Sequence, residues 1–113
     1  MSGSELAVVV GSSGALGSAI AARLRRAGLD VLGVARGAEP PDCRADIGSD
    51  DAVAVIAAAV GGRPVRMVVQ AAGLPPTGPL ATIEPDALGR AVALKCGGLL
   101  RLVRAVDGQL DRG

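Results

Sequence analysis

The feature that most restricts how this chain can fold is a glycine-rich stretch between a short apolar run and an amphipathic segment. The apolar run, Leu-Ala-Val-Val-Val at residues 6–10, is typical of a strand buried on both faces. The glycine-rich stretch follows directly and consists of Gly11, Ser12, Ser13, Gly14, Ala15, Leu16 and Gly17. Over residues 15–27 apolar side chains recur every four positions before a terminating glycine, which predicts a helix. The sequence therefore predicts a strand, a tight turn and a helix in direct succession.

The three glycines of this turn have separate roles in a phosphate-binding loop. Gly11 permits the tight turn, Gly14 lets the backbone approach a pyrophosphate, and Gly17 lets the helix pack closely on the strand. Free N–H groups at the start of the helix then face the phosphate oxygens, aided by the positive end of the helix dipole. This context favours dinucleotide binding over the alternative, a tight turn without a ligand.

The rest of the chain alternates between apolar runs and helical segments. Strands are predicted over residues 30–34 and 65–71, with a short extended piece near 44–47, and helices over 52–60 and 86–106. Ser49, Asp50 and Asp51 form a predicted N-cap cluster for the helix over 52–60. Such alternation indicates parallel strands covered by helices on both faces. We therefore expect a single α/β domain over residues 1–113, a Rossmann-like three-layer α/β/α fold with a small parallel sheet of three to four strands.

The composition excludes several classes of function. The 113 residues include no His, Tyr, Trp or Phe, so the chain lacks His acid–base groups, His metal ligands, Tyr general acids and aromatic platforms for nucleic-acid bases. Twelve basic and eleven acidic residues give a net charge of +1, too balanced for a nucleic-acid or membrane partner. Cys43 and Cys96 are too few and too far apart for a disulfide framework or a zinc site, so we expect reduced thiols and no metal.

No targeting or membrane-spanning segment is predicted. The first five residues carry an acid and no basic group, unlike a signal peptide. The longest uninterrupted apolar run, over residues 52–60, is far shorter than the ~20 residues that a spanning helix needs. We therefore expect a soluble, cytoplasmic protein.

The residue after the second strand indicates which dinucleotide a site here would prefer. Arg36 stands where an NAD-preferring site usually has an acidic residue for the ribose 2′-hydroxyl. An arginine can instead pair with the 2′-phosphate of NADP. Two alternatives remain: Arg36 is a solvated loop residue, or Glu39, three residues on, binds a ribose. The expected cofactor is NADP(H), with NAD(H) as the alternative.

Together these residues resemble the N-terminal half of a short-chain dehydrogenase/reductase, over nearly the whole chain. The stretch from Gly11 to Gly17 resembles the glycine signature of the family's extended and atypical branches and of ketoreductase domains. Asp46 and Ile47 resemble the acidic–aliphatic pair that holds the adenine ring in the family. The resemblance implies that both belong to the cofactor site and that the piece near 44–47 is a true strand, which makes a four-stranded sheet.

A second segment, at residues 70–73, resembles the family's Asn-Asn-Ala-Gly sequence after the fourth strand. Here it is Gln-Ala-Ala-Gly, so both asparagines are replaced. The resemblance implies that Ala71, Ala72 and Gly73 border the cofactor.

Lys95, the single lysine of the chain, falls on the helix where most family members carry a structural and catalytic Asn. Ketoreductase domains of polyketide synthases and some small atypical reductases carry a Lys there. The resemblance implies that Lys95 orients the nicotinamide ribose and polarises a proton donor. The alternative is an ordinary surface lysine on a helix.

The family's remaining catalytic groups, a Ser and a Tyr-x-x-x-Lys, would fall after residue 113, so we expect a truncated relative that cannot complete the usual mechanism alone. Three interpretations stay open. The first is an NADP(H)-binding reductase of a small molecule, completed by a second copy or a partner chain. The second is a non-redox cyclase or isomerase that reuses the cleft, and the third is a non-catalytic interaction subunit. The acids and bases available to the second are Asp46, Glu84, Asp86, Lys95 and Cys96.

We also expect a homo-oligomer, most simply a dimer. The strand over 65–71 has no Lys or Pro to protect an open edge. The last helix carries more apolar residues than one stripe against a small sheet requires: Leu94, Leu99, Leu100, Leu102 and Val103. In the family this helix commonly forms the dimer interface, which implies a symmetric pairing of two such helices.

Overall fold

The elements follow the alternation that the sequence predicts. The computed structural model describes residues 5–73 and 78–110. In chain order these residues form β1 (Leu6–Val10), α1 (Ala15–Arg26), β2 (Asp30–Ala35), β3 (Cys43–Arg44), α2 (Asp51–Val60), β4 (Val65–Gln70) and α3 (Pro85–Val106). Within these ranges no helix is long and apolar enough to span a bilayer.

The four strands form one parallel sheet in the spatial order β3-β2-β1-β4. On the central strand, Val8 lies opposite Leu32 of β2 and Val68 of β4. The Rossmann-like α/β fold is therefore confirmed, with four strands. The extended piece predicted near residues 44–47 is only two residues long as a strand, and Ala45 follows it with one further hydrogen bond, from its N–H to the Ala35 carbonyl oxygen at 3.1 Å.

β1 is buried on both faces because helices cover each side of the sheet. Every residue from Leu6 to Val10 is at most 2% exposed. Side chains alternate between faces along a strand, and Val8 shares a core with Ile56 of α2 and Leu102 of α3. The opposite face of β1 is covered by α1.

α3 runs unbroken for 22 residues although three glycines lie within it. At Gly98 a Cβ atom would lie 2.7 Å from Gln70 Nε2 and 3.3 Å from the Ile47 side chain. The absent side chain lets the helix approach the sheet closely. Tertiary packing of α3 thus outweighs the low helix propensity of glycine.

The predicted N-cap cluster of α2 is only partly correct. Asp50 has helical backbone angles and makes no capping hydrogen bond. Its carboxylate instead accepts a hydrogen bond from Arg101 Nε at 2.9 Å. The Ser49 hydroxyl oxygen accepts the Asp51 N–H at 3.3 Å, so the serine supplies the local cap.

The edge of β4 is partly covered. The Val65 N–H donates to the Gln109 carbonyl at 2.9 Å, and Val65 also forms a parallel bridge with Leu110. The strand ends at Gln70, one residue before its predicted end. Residues 74–77, which follow shortly after the strand and which the sequence predicts to be part of a Gly- and Pro-rich loop over residues 73–79, lie outside the described residues.

Candidate functional site

A cavity of about 360 Å³ lies at the carboxyl ends of the strands. The chain passes from β1 to β2 and β3 on one side, then returns past β1 to form β4 on the other. In parallel α/β sheets this switch point is where ligands bind, and the volume lies within the usual range of ligand pockets. The residues lining the cavity come from all four strand ends and from α3: Val10, Gly11, Ser13, Gly14, Val34, Ala35, Arg36, Ala45, Asp46, Ile47, Ala71, Ala72, Gly73 and Leu94.

Gly11 turns the chain sharply at the floor of the cavity. Its φ of +83° lies in the left-handed region, and a Cβ there would be 2.6 Å from the Ala72 nitrogen. Its N–H donates to the Val34 carbonyl at 2.8 Å. The turn is therefore held between the ends of β2 and β4, and no other residue type fits there.

Gly17 and Gly14 serve different needs, as the sequence predicts for a phosphate-binding loop. A Cβ at Gly17 would overlap the Gly11 carbonyl oxygen, so its absence lets α1 pack on the turn. A Cβ at Gly14 would meet only that same oxygen, at 3.4 Å, which is ordinary contact. The protein itself therefore does not need glycine at position 14. Gly14 lines the cavity, so a side chain at this position would border the open space.

The start of α1 offers backbone donors at this place. The Gly14 N–H donates to the Gly11 carbonyl oxygen at 3.1 Å. The first hydrogen bond of the helix runs from the Ser18 N–H to the Gly14 carbonyl oxygen. No side chain caps the helix, so the N–H groups of Ala15, Leu16 and Gly17 have no acceptor among the described residues. Such donors, with the helix dipole, suit a phosphate group.

Not every residue of the glycine-rich stretch lines the cavity. Gly11, Ser13 and Gly14 do, whereas Ala15 and Leu16 are exposed beside it. The Ser12 hydroxyl instead lies beside Gly33, where a Cβ would be 2.7 Å from it. Ser12 is thus close to β2.

At the end of β2, Arg36 borders the cavity and is exposed, whereas Glu39 does not line it. Asp46 and Ile47 line the neighbouring wall, with Ile47 buried in the core. The Asp46 carboxylate accepts the Gly48 N–H at 2.9 Å, a local turn that holds it beside the strand ends.

Five lining residues were not predicted as site residues: Val10, Val34, Ala35, Ala45 and Leu94. Ala45 lies directly before the Asp46–Ile47 pair, and Leu94 reaches the cavity from α3. The available signal for Leu94 was its position next to Lys95 on a helix that the family resemblance places near the cleft. The sequence does not indicate that its side chain turns toward the strand ends.

Lys95 lies next to the cavity without lining it. Its Nζ donates to the Gln70 carbonyl at 2.8 Å and to the Ala72 carbonyl at 3.4 Å. In return, Gln70 Nε2 donates to the Leu94 and Lys95 carbonyls at 3.2 and 3.3 Å, and Gln70 Oε1 accepts the Ala72 N–H at 2.8 Å. We call Gln70 and Lys95 the β4–α3 brace, because they join the end of β4 to α3 from both sides.

Ionisable groups are few at this site. Of the described residues that line the cavity, only Arg36 and Asp46 are ionisable. Glu84, Asp86 and Cys96, candidates for a non-redox reaction, are not among the lining residues. Cys43 is buried beneath the site, and burial, with a smaller effect of the Asp42 charge, raises the pKa of its thiol. That thiol is therefore neutral near pH 7.

Comparisons with known proteins agree with this geometry. The model of the NAD dependent epimerase/dehydratase family matches residues 7–106. A short-chain dehydrogenase from Streptomyces avermitilis is 28% identical, with a TM-score of 0.78, covering 96% of this chain and 45% of its own. An actinorhodin polyketide ketoreductase variant solved with NADPH is 27% identical, with a TM-score of 0.79, covering 94% of this chain and 48% of its own.

A short-chain dehydrogenase/reductase from Burkholderia multivorans, solved with bound NADP, has the same fold at 24% identity and a TM-score of 0.75, covering 96% of this chain and 55% of its own. The chain thus spans about half the length of the solved structures it matches. Curated protein sequences contained no significant match. On the family match and the fold together, this chain belongs to the NAD dependent epimerase/dehydratase family and has the fold of the short-chain dehydrogenases/reductases.

Proposed function

We propose that the chain binds NADP(H) and forms the cofactor-binding half of an oxidoreductase that reduces a carbonyl group of a small molecule. The observation that carries the proposal is the open space beside Gly14, at the free N–H groups that begin α1. A pyrophosphate at this place would accept hydrogen bonds from these backbone N–H groups, and no side chain competes with it for them. Similar structures solved with NADP or NADPH support the same assignment.

The residues around the cavity suit the other parts of a dinucleotide. Arg36 would pair with a 2′-phosphate, and Ala45, Asp46 and Ile47 offer a wall of moderate polarity for the adenine. Ala72 and Gly73, at the end of β4, would border the nicotinamide side. When bound, the cofactor supplies a hydride for a carbonyl carbon.

Carbonyl reduction also needs a proton donor, and the described lining residues offer no suitable one. The ionisable side chains among them are the guanidinium of Arg36 and the carboxyl group of Asp46, and the chain has no Tyr to serve as a general acid. We therefore include in the proposal a second copy or another polypeptide that supplies the donor. The role of Lys95 in this proposal is to hold the Ala72 carbonyl, and thereby the backbone that borders the nicotinamide.

The test is a titration of the protein with NADPH, monitored by the fluorescence emission of the cofactor. The chain has no Trp or Tyr, so protein fluorescence does not interfere. A saturating ligand at a hundredfold excess over Kd stabilises the folded state by about 2.7 kcal/mol, which a thermal melt detects. Gly14→Val should keep the wild-type melting temperature without ligand and lose NADPH binding at least fiftyfold.

The matched control is Gly89→Val, because a Cβ at Gly89 meets nothing within 4 Å and Gly89 lies on α3 away from the cavity. It should bind NADPH as the wild type does. Unchanged NADPH affinity in Gly14→Val would overturn the assignment of the site. A folded wild type that neither alters NADPH emission nor gains thermal stability would favour an interaction subunit.

The proposal extends to a dimer in which two copies pair through α3. Four large apolar side chains are 45–59% exposed on this helix: Leu88, Val92, Leu99 and Leu100. Leu88, Val92 and Leu99 follow one another at intervals of four and seven positions and therefore share one face. Leu100 lies about 100° farther round the helix, and Leu102 and Ala105 face the core. An unpartnered stripe of this kind is typical of an interface between copies.

The dimer is tested by sedimentation at micromolar concentration. Leu99→Glu should shift the particle to monomer mass, whereas Leu80→Glu should not, because Leu80 is 97% exposed outside the helix. Cys96 is exposed on the same helix, so mild oxidation should cross-link the wild type. A well-folded wild-type particle of monomer mass would refute this part of the proposal.

A further inference from the structure

A second arginine lies close to Arg36 at the end of the neighbouring strand, outside the residues that line the cavity. Arg44 is the last residue of β3 and pairs with Ala35, the last residue of β2. Its Nε donates a hydrogen bond to the Arg36 carbonyl oxygen at 3.2 Å. The two arginine positions are therefore joined directly, although only Arg36 follows from the sequence pattern of a cofactor site.

Neither arginine has a carboxylate partner. Among the described residues, no ion pair involves Arg36 or Arg44. The two acids nearest to Arg44 in sequence accept backbone hydrogen bonds: Asp42 Oδ1 accepts the Gly33 N–H at 3.1 Å, and Asp46 Oδ1 accepts the Gly48 N–H. Glu39, three residues from Arg36, forms no ion pair with either arginine in the part of the chain that the structure describes. With Nε bound to the carbonyl, both amino groups of Arg44 are left without a hydrogen bond in this part of the chain.

Two arginine side chains on neighbouring strand ends, neither of them in an ion pair among the described residues, favour a bound anion. A phosphate monoester fits this arrangement better than a carboxylate, because it carries a charge of about −1.5 to −2 near pH 7 and offers three acceptor oxygens. One arginine leaves such a group partly unneutralised, whereas two match its charge.

We infer that Arg44 is a second determinant of the preference for NADP(H) over NAD(H), which acts with Arg36 on the 2′-phosphate. Its Nε holds the Arg36 backbone at the end of β2, and its amino groups supply the second positive charge. NADH carries a hydroxyl at that place and gains nothing from the second charge. The inference rests on the proposed function, since it concerns the same cleft.

The experiment compares Kd values for NADPH and NADH in the full chain, measured by cofactor emission at low and at physiological salt. Arg44→Gln should raise the Kd for NADPH about tenfold and leave that for NADH within twofold. The salt dependence of NADPH binding should weaken in this variant, because one charge contact is lost. The matched control is Arg26→Gln, which removes an exposed positive charge from the far end of α1.

Arg36→Gln and the double variant complete a thermodynamic cycle. If the two arginines bind one phosphate, the losses of NADPH affinity in the single variants should not add in the double variant. An equal loss of NADPH and NADH affinity in Arg44→Gln would overturn the inference in favour of a structural role, and no loss would overturn it outright. A wild type that binds neither dinucleotide would refute the proposed function and this inference together. If the wild type binds tightly but Arg44→Gln leaves the ratio of the Kd values for NADPH and NADH unaltered, only the inference is refuted.

Discussion

Replacing Gln70 by methionine should destabilise the fold, because Gln70 makes three hydrogen bonds where β4 meets α3. Its Oε1 accepts the Ala72 N–H at 2.8 Å, and its Nε2 donates to the Leu94 and Lys95 carbonyls at 3.2 and 3.3 Å. Methionine has a similar length and is unbranched, so it fills the same space without these bonds. The half-buried Ala72 N–H would lose its acceptor.

The magnitude follows from these contacts. The two longer bonds share one amino group and together contribute about 1 kcal/mol. Leaving the partly buried Ala72 N–H without an acceptor costs about 1–2 kcal/mol more. The free energy of unfolding should therefore fall by about 2.5 kcal/mol. With an m-value of about 1.5 kcal/mol/M, the urea midpoint falls by about 1.7 M.

The assay is urea unfolding followed by circular dichroism, since the chain has no Trp or Tyr for fluorescence. Gln109→Met is the matched control, because the described residues include no hydrogen bond to the Gln109 side chain. The control should unfold within about 0.5 kcal/mol of the wild type. If Gln70→Met also unfolds at the wild-type midpoint, the β4–α3 brace contributes nothing and the reasoning is refuted.

Four further results are expected. Gly17→Val should lose cooperative thermal unfolding by circular dichroism, because its side chain would overlap the Gly11 carbonyl oxygen; a wild-type melt would contradict this. Ile56→Ala should lower the urea-derived free energy of unfolding by about 2–5 kcal/mol, since the side chain is fully buried, and a loss below about 1 kcal/mol would contradict it. Cys96 should react with a thiol reagent in the native protein while Cys43 is protected until unfolding, and equal rates would disprove the burial of Cys43. Because burial raises the Cys43 pKa, the thiol ionises at a lower pH in the unfolded chain than in the folded one. The stability that the neutral thiol contributes is therefore fully present below its ordinary pKa and is lost as the pH rises from that value through the raised folded pKa. The wild-type urea midpoint should fall more between about pH 8 and pH 10 than that of Cys43→Ala, and equal falls would contradict this.

The sequence by itself determined the fold class and the location of the cleft. Five consecutive apolar residues require burial on both faces, and glycines at positions 11, 14 and 17 suit a tight turn that opens a helix. These signals are local, since each arises from residues within one or two turns of chain. For the same reason the predicted helices and strands match the observed ones within one or two residues, apart from the very short β3.

Only the tertiary structure decided which side chains meet at the cleft. Gln70 contacts residues 24 and 25 positions away, and Asp50 binds Arg101, 51 positions away, instead of capping its own helix. Leu94 lines the cavity because Gly98 lets α3 approach the sheet, and Arg44 lies beside Arg36 because β3 pairs with β2. Local propensities carry no information about such contacts, because they depend on how closely distant elements pack and on the register of neighbouring strands.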